Sequence, residues 1–145
     1  MLIHPELMLD DEGGYDVPNS GAFASEESDY LIRDPNLLST NNKKMTISVF
    51  LKRVTVSSYQ TIMGGGTSGA TGCSFRFKDD DTIQVFLRNT NDGLLTTDAK
   101  YRDTANFYHI LLSFDTANAT AADRMSLYVN GELQATTGTA IVQNA

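Results

Sequence analysis

The sequence FYHILLSF, residues 107–114, carries apolar side chains at every second position. One face of this stretch is formed by Tyr108, Ile110, Leu112 and Phe114. A repeat of two residues is typical of a β-strand, in which successive side chains point to opposite faces. The other face, with Phe107, His109 and Leu111, is also largely apolar. We therefore predict a central strand that is covered on both sides.

The same alternation occurs in MTISVFL, residues 45–51, where every second residue is again apolar. Two further alternating segments, residues 74–77 and 83–88, flank the polar sequence KDDDT at 78–82. Polar residues of this kind favour a loop between two strands. We expect the inner face of this hairpin to carry Phe75, Phe77, Ile83, Val85 and Leu87.

A second hairpin is predicted where residues 125–129 and 132–135 flank Asn130-Gly131. Asn-Gly between alternating segments is a strong hairpin signal, because both turn residues adopt positive φ. The polar connection 113–124 has room for one helical turn, but no segment keeps a helical period. Several short strands separated by turns predict an all-β fold, an antiparallel β-sandwich of the jelly-roll type.

Glycines cluster in residues 64–72, after a short predicted strand at 60–63. This segment lacks the Lys-Ser/Thr of a phosphate-binding loop and is not followed by a helical pattern. We therefore interpret it as a mobile loop and not as a nucleotide site.

The composition is that of one soluble domain: 145 residues, 41% hydrophobic and 20% charged, with a net charge of −7. The acidity disfavours nonspecific binding to nucleic acid and to anionic membranes. Residues 1–20 are acidic and glycine-containing and are predicted to be a flexible leader, with the domain at 21–145. No signal peptide or membrane-spanning stretch is recognisable, so synthesis in the cytoplasm is expected.

Two segments together resemble laminin-G/concanavalin A-like lectin/glucanase domains. They are YRDTANFYHILLSFD at 101–115 and RMSLYVNGEL at 124–133, and the resemblance covers roughly residues 15–140. It implies a sandwich in which Tyr108, Leu127 and their neighbours on the same strands fill the space between two sheets. The sequences around both segments are similar to those of this domain in phage tail-fibre and other virion proteins.

Such domains usually continue beyond the Asn-Gly hairpin with one or two more strands, whereas this sequence stops at Ala145. The expectation is that the sandwich lacks its last strands. Either a longer protein or a neighbouring subunit would then supply the missing strand by β-augmentation.

Catalytic residues are not recognisable. A Glu-x-Asp-x-Glu triplet, which would align acids on one face of a strand, is absent, as is a Gly-x-Ser-x-Gly motif. Cys73 is the one cysteine, and His4 and His109 are the only histidines, which argues against a disulfide or a zinc site. His109 is predicted to be a half-buried strand residue with a backbone or hydroxyl partner.

Calcium is the best cofactor candidate, and it is a weak one. Asp79, Asp80 and Asp81 are consecutive oxygen donors in a predicted loop, and related lectin-like domains often bind this ion. Consecutive residues cannot all face one ion, and the spacing of a calcium-binding loop is missing. A solvated turn without a cofactor is the favoured interpretation.

A ligand or partner face is predicted on the outer side of the 74–88 hairpin, formed by Arg76, Gln84, Phe86 and Arg88. An exposed aromatic ring between two arginines could stack on a sugar or anchor a protein. The alternative is that Phe86 is covered by a loop of its own chain.

The resulting functional hypothesis is a non-enzymatic module of a phage virion, in a tail fibre or a similar appendage, that binds host-surface glycan or protein. Its partners would be other virion proteins, copies of itself or a host glycan, but not nucleic acid or membrane. The alternative is a purely structural capsid- or tail-associated subunit. A glycoside hydrolase remains a third hypothesis only if further C-terminal sequence supplies acidic residues for catalysis.

Overall fold

The computed structural model describes residues 21, 43–66, 72–89 and 92–144, with the backbone alone at Arg88, Asn89 and Asp92. Every described strand belongs to one compact unit, Ser39–Ala145. The predicted leader, residues 1–20, lies outside the described residues. Within the described part of the chain, no helix is long and apolar enough to cross a membrane.

The described strands form two antiparallel sheets. In chain order the strands are β1 (Lys44–Leu51), β2 (Gln60–Gly65), β3 (Cys73–Phe77), β4 (Ile83–Asn89), β5 (Asp92–Thr97), β6 (Tyr108–Asp115), β7 (Met125–Val129), β8 (Glu132–Leu133) and β9 (Thr136–Thr139). The first sheet has the order β1-β6-β7-β8 and the second β2-β3-β4-β5-β9. One turn of 3-10 helix, Ala121–Arg124, precedes β7. This confirms the predicted all-β antiparallel sandwich.

The core lies between the inner faces of the two sheets. In the first sheet, Ile110 and Leu112 are fully buried, and in the second Phe75, Phe77 and Ile83 are at most 2% exposed. Each such side chain contributes roughly 1.5–3 kcal/mol through its burial. The inner positions predicted from the alternation therefore fill the core, with Leu87 packed at its margin.

β6 is central, as predicted, because it pairs with β1 on one side and with β7 on the other. The prediction that both of its faces are covered is wrong. The positions of His109, Leu111 and Ser113 are half-buried, whereas the residues of the opposite face are at most 9% exposed. An antiparallel sheet needs only one apolar face against a core, so its other face can meet solvent.

The Asn130-Gly131 hairpin forms as predicted, with positive φ at both residues, 51° and 84°. The turn is also fixed to the neighbouring strand. The Asn130 backbone N–H donates to the His109 carbonyl at 2.8 Å, and the Asn130 Oδ1 accepts from the His109 N–H at 2.9 Å. The amide side chain thereby sets the register between the turn and β6.

Two sequence expectations about strand ends are corrected. β2 extends through Gly64 and Gly65, so the predicted loop 64–72 begins later, and its residues 67–71 lie outside the described part. After the Asn-Gly hairpin the chain crosses to the second sheet, where β9 pairs with β5. The sandwich was expected to lack its last strands, and one strand beyond the hairpin, β9, is present.

Candidate binding face on the second sheet

Polar side chains from four adjacent strands align on the outer face of the second sheet. The register pairs Arg76 with Gln84, Gln84 with Thr96, and Thr96 with Thr137. Directly opposed residues point to the same face, so these four side chains form one row across the strands. We call this row the polar ladder: Arg76, Gln84, Thr96 and Thr137.

Hydrogen bonds hold the first half of the polar ladder. Arg76 donates from Nη2 and Nε to Gln84 Oε1, at 2.8 and 3.2 Å. Gln84 Nε2 in turn lies 3.5 Å from Thr96 Oγ1. The guanidinium and the amide are half-buried, so their planes are held in place while their outer edges reach solvent.

Two aromatic rings contact the Arg76 guanidinium. Its Cζ lies 4.7 Å from the centre of the Tyr59 ring and 5.2 Å from the centre of the Phe86 ring. Tyr59 is 55% exposed, whereas Phe86 is 8% exposed. The expectation of an exposed ring at Phe86 is therefore wrong: the ring is buried, and Arg76 of the neighbouring strand β3 lies over it.

The predicted face is brought together only in part. Arg76 and Gln84 are neighbours, Phe86 lies beneath Arg76, and Arg88 lies in β4 with its side chain outside the described part. Sequence reasoning missed Tyr59, which precedes β2 in a polar segment without an alternating pattern. Its adjacency to a predicted strand was the only signal for it.

The three consecutive aspartates do not form a cation site. The Asp81 carboxylate lies 3.2 Å from Arg53 Nη1 and 2.8 Å from Arg102 Nε, and it accepts the Ser57 N–H at 2.6 Å. Both of its oxygens thus contact cations, and its side chain is 1% exposed. The calcium hypothesis fails at this residue, because both of its carboxylate oxygens are already bonded to groups of the protein.

The bonds of Asp81 connect three loops of the chain. Arg53 follows β1, Asp81 lies in the β3–β4 turn and Arg102 lies before β6. The Ser57 N–H and then the Arg102 guanidinium lower the pKa of Asp81 to about 2. The Arg53 guanidinium also lies 4.3 Å from the centre of the Phe77 ring and donates to the Tyr101 carbonyl.

The other two aspartates face elsewhere. Asp80 bonds Lys78 Nζ at 2.7 Å and Thr82 Oγ1 at 2.6 Å, and the Lys78 contact lowers its pKa below the usual range. Asp79 is exposed. Over the residues that the structure describes, no three His, Cys, Asp or Glu side chains are grouped so that they could hold a metal ion.

A second feature lies on the outer face of the first sheet. Phe50 stacks on His109 with ring centres 5.4 Å apart, and it lies 6.0 Å from Phe107. Phe50 is 65% and Phe107 45% exposed. His109 Nε2 lies 2.8 Å from Ser48 Oγ, which confirms the predicted hydroxyl partner. We call Phe50, Phe107 and His109 the aromatic patch.

Comparison with known proteins identifies a family. A family model described as the concanavalin A-like lectin/glucanases superfamily matches residues 25–144. No curated protein and no solved structure matches the chain. The match spans most of the chain, including both sheets.

Proposed function

The chain belongs to the concanavalin A-like lectin/glucanase superfamily, and we propose that it is a binding module that holds a glycan on the polar ladder without chemical turnover. The observation that carries this proposal is the arrangement of Tyr59, Arg76 and Gln84. An exposed ring lies beside planar groups whose orientation is fixed by hydrogen bonds.

This arrangement suits a sugar because a sugar ring has an apolar C–H face and a polar rim. The apolar face can pack on the Tyr59 ring, while the Arg76 and Gln84 edges bond the ring hydroxyls. Both planar groups are already ordered by their mutual bond at 2.8 Å. Little side-chain entropy is then lost on binding, which favours affinity from a small contact area.

Four of the described carboxyls are poorly suited to act as the acid of a hydrolase. A glycosidase needs one acid whose pKa is raised so that it can protonate the leaving group. Hydrogen bonds stabilise the ionised form of four aspartates and so lower their pKa: Asp80, Asp81, Asp103 and Asp115. These groups are suited to structural bonds and not to proton donation.

The proposed setting is a phage virion, in a tail fibre or similar appendage, assembled in the host cytoplasm. The support is the resemblance of residues 101–115 and 124–133 to the versions of this domain in virion proteins. The glycan would then be one on the host surface. Mass spectrometry of purified particles from a phage that encodes the chain tests this setting, and absence of its peptides would count against it.

The binding proposal is tested by screening the chain on a glycan array together with Tyr59→Ala and Gln84→Ala. We expect specific glycan binding that each substitution weakens about tenfold, equivalent to about 1.4 kcal/mol. Phe50→Ala is the matched control, because it removes an exposed aromatic ring from the opposite sheet and should leave glycan binding unchanged. Binding that responds only to Phe50→Ala would overturn the proposal.

A second candidate is the purely structural role, in which the domain packs on neighbouring virion proteins or on copies of itself. The exposed aromatic patch favours it, because paired exposed phenylalanines on a sheet face are typical of contact surfaces. Sedimentation at rising concentration should then show self-association that Phe50→Ser abolishes and Tyr59→Ala does not. A chain that stays monomeric and binds glycan would leave only the first candidate.

A further inference from the structure

A cleft of about 330 Å³ lies between β9 and the 3-10 helix. Its floor is formed by Leu95, Met125 and Ile141, which are 4%, 9% and 3% exposed. The lining also includes small residues and threonines: Ala121, Ala122, Gly138, Ala140, Thr136, Thr137 and Thr139. None of the residues that line it is charged. The volume is at the lower end of the roughly 300–1,000 Å³ typical of ligand pockets.

The cleft and the end of the polar ladder meet at the edge strand β9, where the ladder lies on the outer face while Leu95, Met125 and Ile141 belong to the core. Thr137 belongs to both, since it opposes Thr96 in the ladder and lines the cleft. Thr139 opposes Leu94 on the same outer face, and both residues line the cleft. From β3 to β9 the ladder crosses three strand spacings, or about 14 Å. That length suits a chain of sugars better than a single ring.

The walls of the cleft are fixed by Arg124. Its guanidinium donates to the Ile141 carbonyl at 2.9 Å on one side, and to the Asn118 and Ala119 carbonyls at 2.8 and 3.1 Å on the other. This side chain ties the segment after β9 to the loop before the 3-10 helix. The cleft is therefore formed before any ligand arrives, which reduces the cost of binding.

We propose that the cleft receives the acetamido group of one sugar in the glycan whose neighbouring sugars lie on the polar ladder, an inference that rests on the proposed function. The methyl of such a group can pack on the apolar floor, and its amide can bond the threonine hydroxyls. A charged substituent would lose its hydration without gaining an ion partner in the lining. The ligand class is thus a neutral N-acetylated oligosaccharide.

The size of the preference follows from the contacts. Burying one methyl strengthens binding about fourfold. One net hydrogen bond strengthens it by a further factor of about two to ten. Together they give at least about a tenfold difference in affinity between an acetamido and a hydroxyl group at the same position.

The test uses array glycans in pairs that differ only in having an acetamido or a hydroxyl group on one sugar. The wild-type chain should prefer the acetamido member about tenfold. Ala122→Phe narrows the cleft and Thr139→Val removes a hydroxyl at constant shape, and each should erase the preference while leaving residual binding. Ala105→Phe, at an exposed position in another loop, is the control and should keep the preference.

The outcomes separate the two proposals. Binding that Gln84→Ala weakens, but that shows no acetamido preference in the wild-type chain, would overturn the cleft assignment and leave the ladder intact. A preference that survives both Ala122→Phe and Thr139→Val would also overturn it. Failure to bind any neutral oligosaccharide would overturn the proposed function and this inference together.

Discussion

The Arg53–Asp81 pair illustrates at the residue scale how a buried charge organises this domain. Both side chains are 1% exposed, and each has several partners. Taking two ions out of water is costly, so such a pair contributes less to stability than its short distance suggests. Removing one member is nevertheless damaging, because the other is left buried without its partner.

Replacing Arg53 by Met should therefore lower the free energy of unfolding by about 3 kcal/mol. Methionine keeps much of the apolar length but leaves the Asp81 Oδ1 without its cation. Urea denaturation measures this change. Arg102→Met is the matched control, since Arg102 is 60% exposed and its loss should cost about 1 kcal/mol or less. Equal effects of the two substitutions would contradict the assignment of Arg53 as the essential partner.

The lowered pKa of Asp81 predicts a pH dependence of stability. Its folded pKa is about 2, below the value of about 3.9 in an unfolded chain. Because the folded value is the lower one, ionised Asp81 contributes stability that is complete above about pH 5 and is lost as the pH falls towards about 2. The melting temperature of the wild-type chain should thus be constant near neutrality and drop in acid.

Asp81→Asn should melt at a lower temperature at pH 7 and show a shallower drop in acid. Melting curves recorded across the acid range check this. An acid limb identical to that of the wild-type chain would assign the effect to the other carboxyls with lowered pKa, Asp80, Asp103 and Asp115.

At the scale of the element, β9 depends on a single glycine. Gly138 has a φ of 147°, and a Cβ there would lie 2.0 Å from the Leu94 carbonyl oxygen. Gly138→Ala should therefore separate β9 from β5 and lower the free energy of unfolding by about 3 kcal/mol. Gly131→Ala is the control, since its Cβ would meet nothing within 4 Å. Its cost should be only the about 1 kcal/mol of a left-handed alanine, as thermal melts can measure.

The elements that could be predicted are those whose side chains alternate. β3, β6 and β7 bury every second residue, and β1 half-buries every second residue from Ile47 to Leu51, so sequence alone gives both the strand and its inner face. β9, with the sequence TTGT, is exposed along its whole length and carries no apolar signal. It forms because β5 offers it backbone partners, which is information that lies in the tertiary structure and not in its own residues.

The candidate binding face likewise contains residues that could be predicted from the sequence and residues that could not. Arg76 and Gln84 follow from the period of β3 and β4, so their sharing one face was predictable. Whether the ring at Phe86 is exposed depends on what lies above it, and Tyr59 reaches Arg76 from a segment with no regular pattern. In the sequence, Asp81 cannot be distinguished from the two aspartates before it. Its contacts with Arg53 and Arg102, which are distant in sequence, set it apart in the structure.

At the scale of the whole molecule, all described strands and core residues lie within Ser39–Ala145. The predicted domain, residues 21–145, includes all of them, so a chain that begins at Gly21 should unfold in one cooperative transition, with a midpoint close to that of the full chain. Circular dichroism during heating of both chains tests this. Loss of the transition in the shorter chain would mean that earlier residues complete the core.

The polar ladder and the aromatic patch lie on outer faces of different sheets, and so they point in opposite directions. Copies that assemble through the aromatic patch would leave every ladder facing outwards. Each additional attached copy then raises the effective concentration of binding faces near a surface covered in sugars. Under that arrangement, a weak affinity at each single face is compatible with firm attachment, because the assembly is released only when all of its binding faces have dissociated at the same time.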